Sequence, residues 1–477
     1  MPITTYRITR NKKNVGPIFA LIYFMIGLII AYADTKALII YFTILPIQYY
    51  FFSCSLKSGN IFLIIFMFLM FLTQGIDPIF FFLDSDKASE VGFSAIGTFD
   101  FTLSSYFSSY SCIFVFCLTL LFIVKKRTTY KKDNVIPYVV DRIKSFAGRY
   151  STKPSYLLYL IAFTILMSIL SLWMYNNQIG MIGLNQKPLP YHLSGLLFYF
   201  RRYIASLIVL YLYLRCNSKS IALIVVILYT FVIGITGSSK TMGTLIFIPI
   251  ALFSIIEKDY LKCAISIIIY AIYFELVVLS RRIIFIYDFI AYSISDVFSY
   301  VIDEFSFESD LFLSVFSTFT GRLFGAQVLV LMDQQNAATI SDLVQYYLTG
   351  KTNLDITAMF GISFDADKDY AFGVAIGYTG YMVLLSCRNF LITMLQALIL
   401  SELFLFANKC IQTIVNSRSK NVIIIAALLV LSYSFISFWE GSIMTFYVSV
   451  GIIFIIKKIL CIGRKKPLNE SSYLNYS

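Results

Sequence analysis

Six cations and a scatter of carboxylates carry most of the chemistry this sequence can offer. Arg201 and Arg202 stand side by side, Lys240 sits in the short stretch Thr236-Gly237-Ser238-Ser239-Lys240-Thr241, Arg281 and Arg282 form a second pair, and Arg322 stands alone. Arginine presents a planar fork of donors to phosphate oxygens, and lysine a movable point charge. Glu275 lies inside an apolar run seven residues before Arg282, which on a helix puts both on one face about 10 Å apart. Asp303, Glu304, Glu308 and Asp310 cluster, with Glu304 and Glu308 one helical turn apart. They could supply a base or a metal ligand, although a solvated acidic face is the plainer reading.

Other signals are thinner. The lone histidine, His192, falls in a short loop and reads as a surface residue. Asp365-Ala-Asp367-Lys-Asp369 starts like a calcium loop, but the required Gly is Tyr370 and the twelfth residue is Ile376. The eight cysteines lie in or beside apolar runs with no CxxC pair, so they read as small apolar residues of helices. There is no GxGxxG after a strand, P-loop, HExxH or GxSxG. Nothing therefore supports nucleotide-driven or serine-hydrolase chemistry, and no cofactor is expected.

The elements that must position these residues are membrane spans. The 477 residues are 59% hydrophobic and 13% charged, with a mean hydropathy of +0.80. Soluble domains carry about 25% charge, so a water-soluble enzyme, a disordered chain and a disulfide-stapled domain are all excluded. Apolar runs occur at 16–32, 37–52, 61–76, 111–124, 156–175, 196–214, 221–235, 242–256, 264–279, 390–408, 422–438 and 444–456. Lipid offers no partner to unpaired backbone groups, so each reads as a helix, about twelve spans in all. The first run follows Arg7, Arg10, Lys12 and Lys13 and ends in Ala31-Tyr32-Ala33, like a cleavable signal. Its length, and the span that follows at once, favour an uncleaved anchor.

Basic residues in connecting loops mark the cytoplasmic side. With the N-terminus inside, the strongly basic segments, including 125–153 and the tail at 460–477, fall inside, while 77–100 and 281–371 are acidic and fall outside. The net charge of +12 thus reflects topology and lipid headgroups rather than nucleic acid. Apolar stretches at 311–332 and 372–386 are expected to lie on or dip into the outer face; counting both as spans gives a fourteen-helix alternative. The expected layout is a nine-helix region over 1–280, a large outer segment over 281–387, three helices over 388–459 and a cytoplasmic tail. Arg201, Arg202, Lys240, Arg281, Arg282 and Arg322 then gather at the outer mouth, where topology disfavours cations. Any one of them can be a helix-end residue snorkelling to headgroups. Together at one level, they favour an anionic ligand such as a lipid-linked pyrophosphate.

This arrangement resembles the Wzy-type O-antigen polymerases of bacteria, with about twelve spans, both ends inside and one large helical outer loop in a GT-C-like architecture. Phe200-Arg201-Arg202-Tyr203 running to Arg215 is similar to the family's basic-aromatic opening of a span. Gly237-Ser238-Ser239-Lys240-Thr241 resembles its Gly-Gly-Thr-Arg hairpin, and Leu279-Ser280-Arg281-Arg282 its Leu-Lys-Arg. Phe360-Gly361-Ile362-Ser363 through Gly377-Tyr378-Thr379-Gly380 resembles the end of its outer loop, and Glu440-Gly441 its Arg-Glu-Gly turn. Trp439 stands where an Arg would precede Glu440, and no outer Arg is followed at eleven residues by Gly.

The resemblance implies a transferase at the outer face of the inner membrane, joining undecaprenyl-pyrophosphate-linked repeat units. Arg201, Arg202, Lys240, Arg281 and Arg282 would hold pyrophosphate, and Arg322 pyrophosphate or glycan. Glu275, Asp303, Glu304 and Glu440 are its candidate general bases, and Tyr300, Phe305, Tyr346 and Tyr347 candidate sugar-stacking rings. Its expected partners are the lipid-linked oligosaccharide, membrane lipids and a chain-length regulator protein. Two other functions fit the same topology. A flippase would show internal repeats and a charged central path, and neither is visible. An O-antigen ligase would use a histidine in the outer loop, which holds none.

Overall fold

The computed structural model describes residues 16–83, 102–128, 155–177, 189–237, 241–257, 259–286, 338–350, 377–386, 388–415 and 443–462, with a few single positions between them. Every element among the described residues is helical. They are α1 (Gly16–Ala33), α2 (Thr35–Ser58), α3 (Ile61–Met70), α4 (Asp77–Leu83), α5 (Leu103–Arg127), α6 (Ser155–Asn176), α7 (Leu193–Tyr199) and α8 (Ala205–Arg215). Then come α9 (Lys219–Thr236), α10 (Thr241–Glu257), α11 (Tyr260–Ile286), α12 (Ile340–Thr349), α13 (Gly377–Leu384), α14 (Phe390–Val415) and α15 (Ile443–Ile462). Two π-helical segments, Phe71–Ile76 and Phe200–Ile204, join α3 to α4 and α7 to α8 into continuous rods.

Seven helical stretches are long and apolar enough to cross a bilayer: Thr35–Ser58, Ile61–Ile79, Leu103–Arg127, Ser155–Asn176, Leu193–Arg215, Lys219–Thr236 and Phe390–Ile414. Four more apolar runs of the sequence fall in helices with shorter described apolar stretches, at Leu21–Ala33, Met242–Ala251, Tyr260–Phe274 and Phe446–Ile455. The run at 422–438 lies outside the described residues apart from Phe438. The chain is thus an all-α polytopic membrane protein. Its lipid-facing surface is laid down by residues such as Leu21, Phe24 and Ile29 on α1 and Leu158, Leu166 and Ile169 on α6, all exposed and apolar.

Local chemistry sets the element ends. The Asp34 carboxylate caps α2 by accepting from the Ala37 amide at 2.7 Å. At the far end Gly59, at φ 69°, turns the chain in the left-handed region that glycine tolerates best. The Asn60 side chain then caps α3 by accepting from the Phe62 and Leu63 amides, while its own amide donates to the Phe404 carbonyl of α14 at 3.2 Å. α5 starts at Leu103, eight residues before the apolar run detected at Ser111. Its first turns carry Tyr106, Ser109 and Tyr110, which are buried against neighbouring helices rather than exposed to lipid. Hydropathy registers lipid-facing residues and misses such a polar, protein-facing start.

Helices α1–α5 pack with one another and with α13–α15, with α14 lying along α5, and α12 lies on α15. Helices α6–α11 pack with one another, with α10 and α11 forming the closest pair. Aromatic rings fill the first group: Phe66 of α3, Phe116 of α5, Tyr378 of α13 and Phe404 of α14 meet around Phe438. α12 and α13 both fall in the expected outer segment, and both are inserted among these helices. The Tyr347 and Tyr378 hydroxyls meet at 2.8 Å, the Tyr447 hydroxyl donates to the Tyr347 carbonyl at 2.8 Å, and Tyr346 stacks on Tyr381. Tyr346 and Tyr347, read in the sequence as candidate sugar-stacking rings, are buried packing residues here.

Candidate functional site

The cation pair at the start of the sixth apolar run sits in the π-helical segment Phe200–Ile204. A π-turn adds a residue to the helix and rotates the side chains that follow it, which is why such turns recur at functional sites. Here it divides the pair. Arg201 points into the protein and is only 2% exposed. Arg202 is half-buried, and its guanidinium lies 5.5 Å from the centre of the Phe198 ring one turn earlier, a cation–π contact.

Arg201 is received by a gap at Gly237, the residue that ends α9. A Cβ built on Gly237 would lie 2.7 Å from Arg201 Nη2, closer than real contacts allow, and a tight 3.1 Å from Arg201 Cζ. Glycine there leaves room for the guanidinium in its present position. The turn that follows is tied down from α11: the Tyr273 hydroxyl donates to the Ser239 carbonyl. The ring reaches that position because Gly234 of α9 and Gly243 of α10 both leave room for it, each lying where a Cβ would overlap Tyr273. Three helices are thereby drawn together around one tyrosine, and the stretch that carries Lys240 is anchored directly beside the buried Arg201. The contact of Arg201 with Gly237 joins two stretches singled out by the sequence, 36 positions apart.

The remaining candidates are placed less fully. Lys240 lies outside the described residues, as do Asp303, Glu304, Arg322 and Glu440. Glu275, Arg281 and Arg282 lie on α11, whose backbone is described there, but their side chains are not. The helix runs on to Ile286, so Arg281 and Arg282 sit within a helix rather than opening a loop. His192 closes a single 3-10 turn, Pro190–His192. Among the described residues no group of three His, Cys, Asp or Glu side chains comes together.

The structure also brings together residues that sequence reasoning passed over. Arg388, just before α14, pairs with Asp333: its Nε donates to Asp333 Oδ1 at 3.2 Å and its Nη2 to the Asp333 carbonyl at 2.7 Å. Arg388 takes φ 53°, a conformation that costs a non-glycine residue about 1–2 kcal/mol. Its partner lies 55 positions upstream, so no local pattern could have revealed the pair. Glu402 of α14 is partnered by Arg127 at the end of α5. A second polar cluster, Gln48, Gln74, Tyr106 and Tyr110, lies between α2, the first π segment and α5.

No family model matches the chain, and neither a curated protein nor a solved structure matches it.

Proposed function

We propose that the chain is a Wzy-type polymerase that joins undecaprenyl-pyrophosphate-linked repeat units into O-antigen or a related surface polysaccharide. The reaction takes place at the periplasmic face of a bacterial inner membrane. Its twelve spans place both termini in the cytoplasm, and 281–387 is a large helical segment on the periplasmic side.

One observation carries this reading: an arginine buried in a membrane protein, set against the glycine turn that leads to Lys240, with a second arginine beside it. A charged group at membrane depth is costly and marks a functional site by default. In the proposed reaction the C1–O bond between the growing glycan and its pyrophosphate breaks. A new C1–O bond forms to the terminal hydroxyl of the incoming unit, and that hydroxyl's proton passes to a base. Negative charge develops on the departing pyrophosphate, and cations fixed in place beforehand stabilise it without reorganisation. Arg201, Arg202, Lys240, Arg281 and Arg282 take that role, and Arg322 serves pyrophosphate or glycan. Glu275, Asp303, Glu304 and Glu440 are the candidates for the base. No nucleotide or cofactor enters the balance, because the lipid pyrophosphate is the leaving group.

Deleting the gene and separating the surface polysaccharide by gel electrophoresis tests the proposal. The expected result is loss of the ladder with survival of a band carrying one repeat unit. Loss of all attached repeats points instead to a flippase or a ligase, and an unchanged ladder rejects all three.

A further inference from the structure

The polar cluster in the other helical group raises a separate question, independent of the transferase reading. Gln48 stands in the middle of α2 and Gln74 in the π segment Phe71–Ile76, and both are 0% exposed. The two strands of backbone come close there, with a Cβ on Gly75 lying only 3.3 Å from Gln48 Cβ. Part of the hydrogen-bonding capacity is met. Gln48 Nε2 donates to the Tyr110 hydroxyl at 2.9 Å. The Tyr106 hydroxyl donates to the Gln74 carbonyl at 3.1 Å, replacing the donor missing four residues on, where the chain has Pro78.

Three side-chain atoms remain without a protein partner: Gln48 Oε1 and both Gln74 Oε1 and Nε2. Turning either amide over exchanges donor for acceptor and leaves the same number unmet. Each buried polar atom left unsatisfied costs about 1–3 kcal/mol, and a dry bundle interior offers nothing else to repay it. A packing fault would be repaired by a leucine or methionine at either position. Two buried glutamines, each hydrogen-bonded through side chain or backbone to one of two neighbouring tyrosines, instead make a set of donors and acceptors that a small hydroxylic ligand satisfies.

We propose that Gln48, Gln74, Tyr106 and Tyr110 form an internal binding site for water. The ligand must both donate and accept, and it must fit a place closed to solvent on every side; water meets both demands with two to four partners. The π-turn belongs to the same site. It brings Gly75 against Gln48 of α2 while the Gln74 carbonyl is handed to Tyr106 of α5. Asp77, 5% exposed and one turn further on, carries the polar stripe toward the end of the rod.

Radiolytic hydroxyl footprinting with mass spectrometry tests this on the full-length protein in nanodiscs, in heavy-oxygen water without glycerol or other polyols. Water bound next to a side chain generates the labelling radical in place, so buried residues beside it are marked. Tyr106 and Tyr110 are expected to be labelled at rates approaching that of Tyr191, which is 93% exposed in the turn before α7. Phe66 and Phe116, equally buried in the dry aromatic core, stay unmarked. Heavy oxygen in the label identifies the source as water; the hydroxyl of a co-purified lipid or glycan in its place yields no labelling radical, so unlabelled tyrosines would overturn the assignment. The double variant Gln48→Met, Gln74→Met should lose the label at both tyrosines. Should that variant fail to fold, the wild-type comparison decides alone: Tyr106 and Tyr110 as protected as Phe116 would mean that the site is dry.

Discussion

Arg201 depends on a glycine as much as on its own charge. Gly237→Ala places a methyl group within 2.7 Å of its guanidinium, so the arginine must withdraw. This substitution, remote from any charge change, is expected to abolish polymer formation as fully as Arg201→Ala while the protein reaches the membrane in normal amounts. Gel analysis of the glycan beside an immunoblot of the membrane fraction checks both. Arg282→Ala should act the same way, and a normal ladder in that variant would remove Arg282 from the site. Arg388 belongs to stability instead. Arg388→Ala loses the Asp333 pair and keeps an unfavourable backbone, whereas Arg388→Gly loses the pair and relieves the backbone. The glycine variant should therefore be the more stable by about 1 kcal/mol, read as the difference between their unfolding midpoints in detergent. The residue types at the first site were legible in the sequence because an arginine pair opening an apolar run is conspicuous. The full burial of one and the half-burial of the other were not, since a π-turn leaves no trace in hydropathy.

At the scale of elements, the apolar runs located the helices well and their ends poorly. Ends are set by caps and by which face meets protein, as the buried tyrosine and serine start of α5 illustrates. α12 is a clear case of local chemistry. Thr339 and Asp342 cap it reciprocally, the carboxylate accepting from the Thr339 amide at 2.9 Å and from its hydroxyl at 2.6 Å. These hydrogen bonds hold the Asp342 carboxyl below its usual pKa. A group whose pKa is lowered by folding contributes stability above its unfolded value and loses it as pH falls through the folded one. The cap should thus hold at neutral pH and weaken only below about pH 4. Hydrogen exchange of the α12 amides, corrected for intrinsic rates, should show protection constant above that range and falling beneath it. The tyrosines that follow are pushed well above the ordinary phenol range by burial, so they stay neutral and keep their hydrogen bonds throughout.

At the scale of the whole molecule, polytopic α-helical architecture follows from composition alone, because no other use of so many apolar residues is stable. Pairings such as α14 with α5 or α12 with α15 were not legible, since lipid-facing and protein-facing residues are both apolar. Sidedness rests on the basic loops. Alkaline phosphatase fused after Asp342 should be active and fused after Asp133 inactive; the reverse would overturn the topology and, with it, the placing of the cations. Polymerisation by the purified protein can be read in a reconstituted system. Lipid-linked repeat units extracted from the deletion strain would be incubated with the purified protein in liposomes, without nucleotide sugars, and the products sized by electrophoresis. The expected product is a ladder of lengthened lipid-linked glycans that disappears with Arg201→Ala. Units that remain single with the wild-type protein, or a ladder that persists in the variant, would contradict the proposed catalysis.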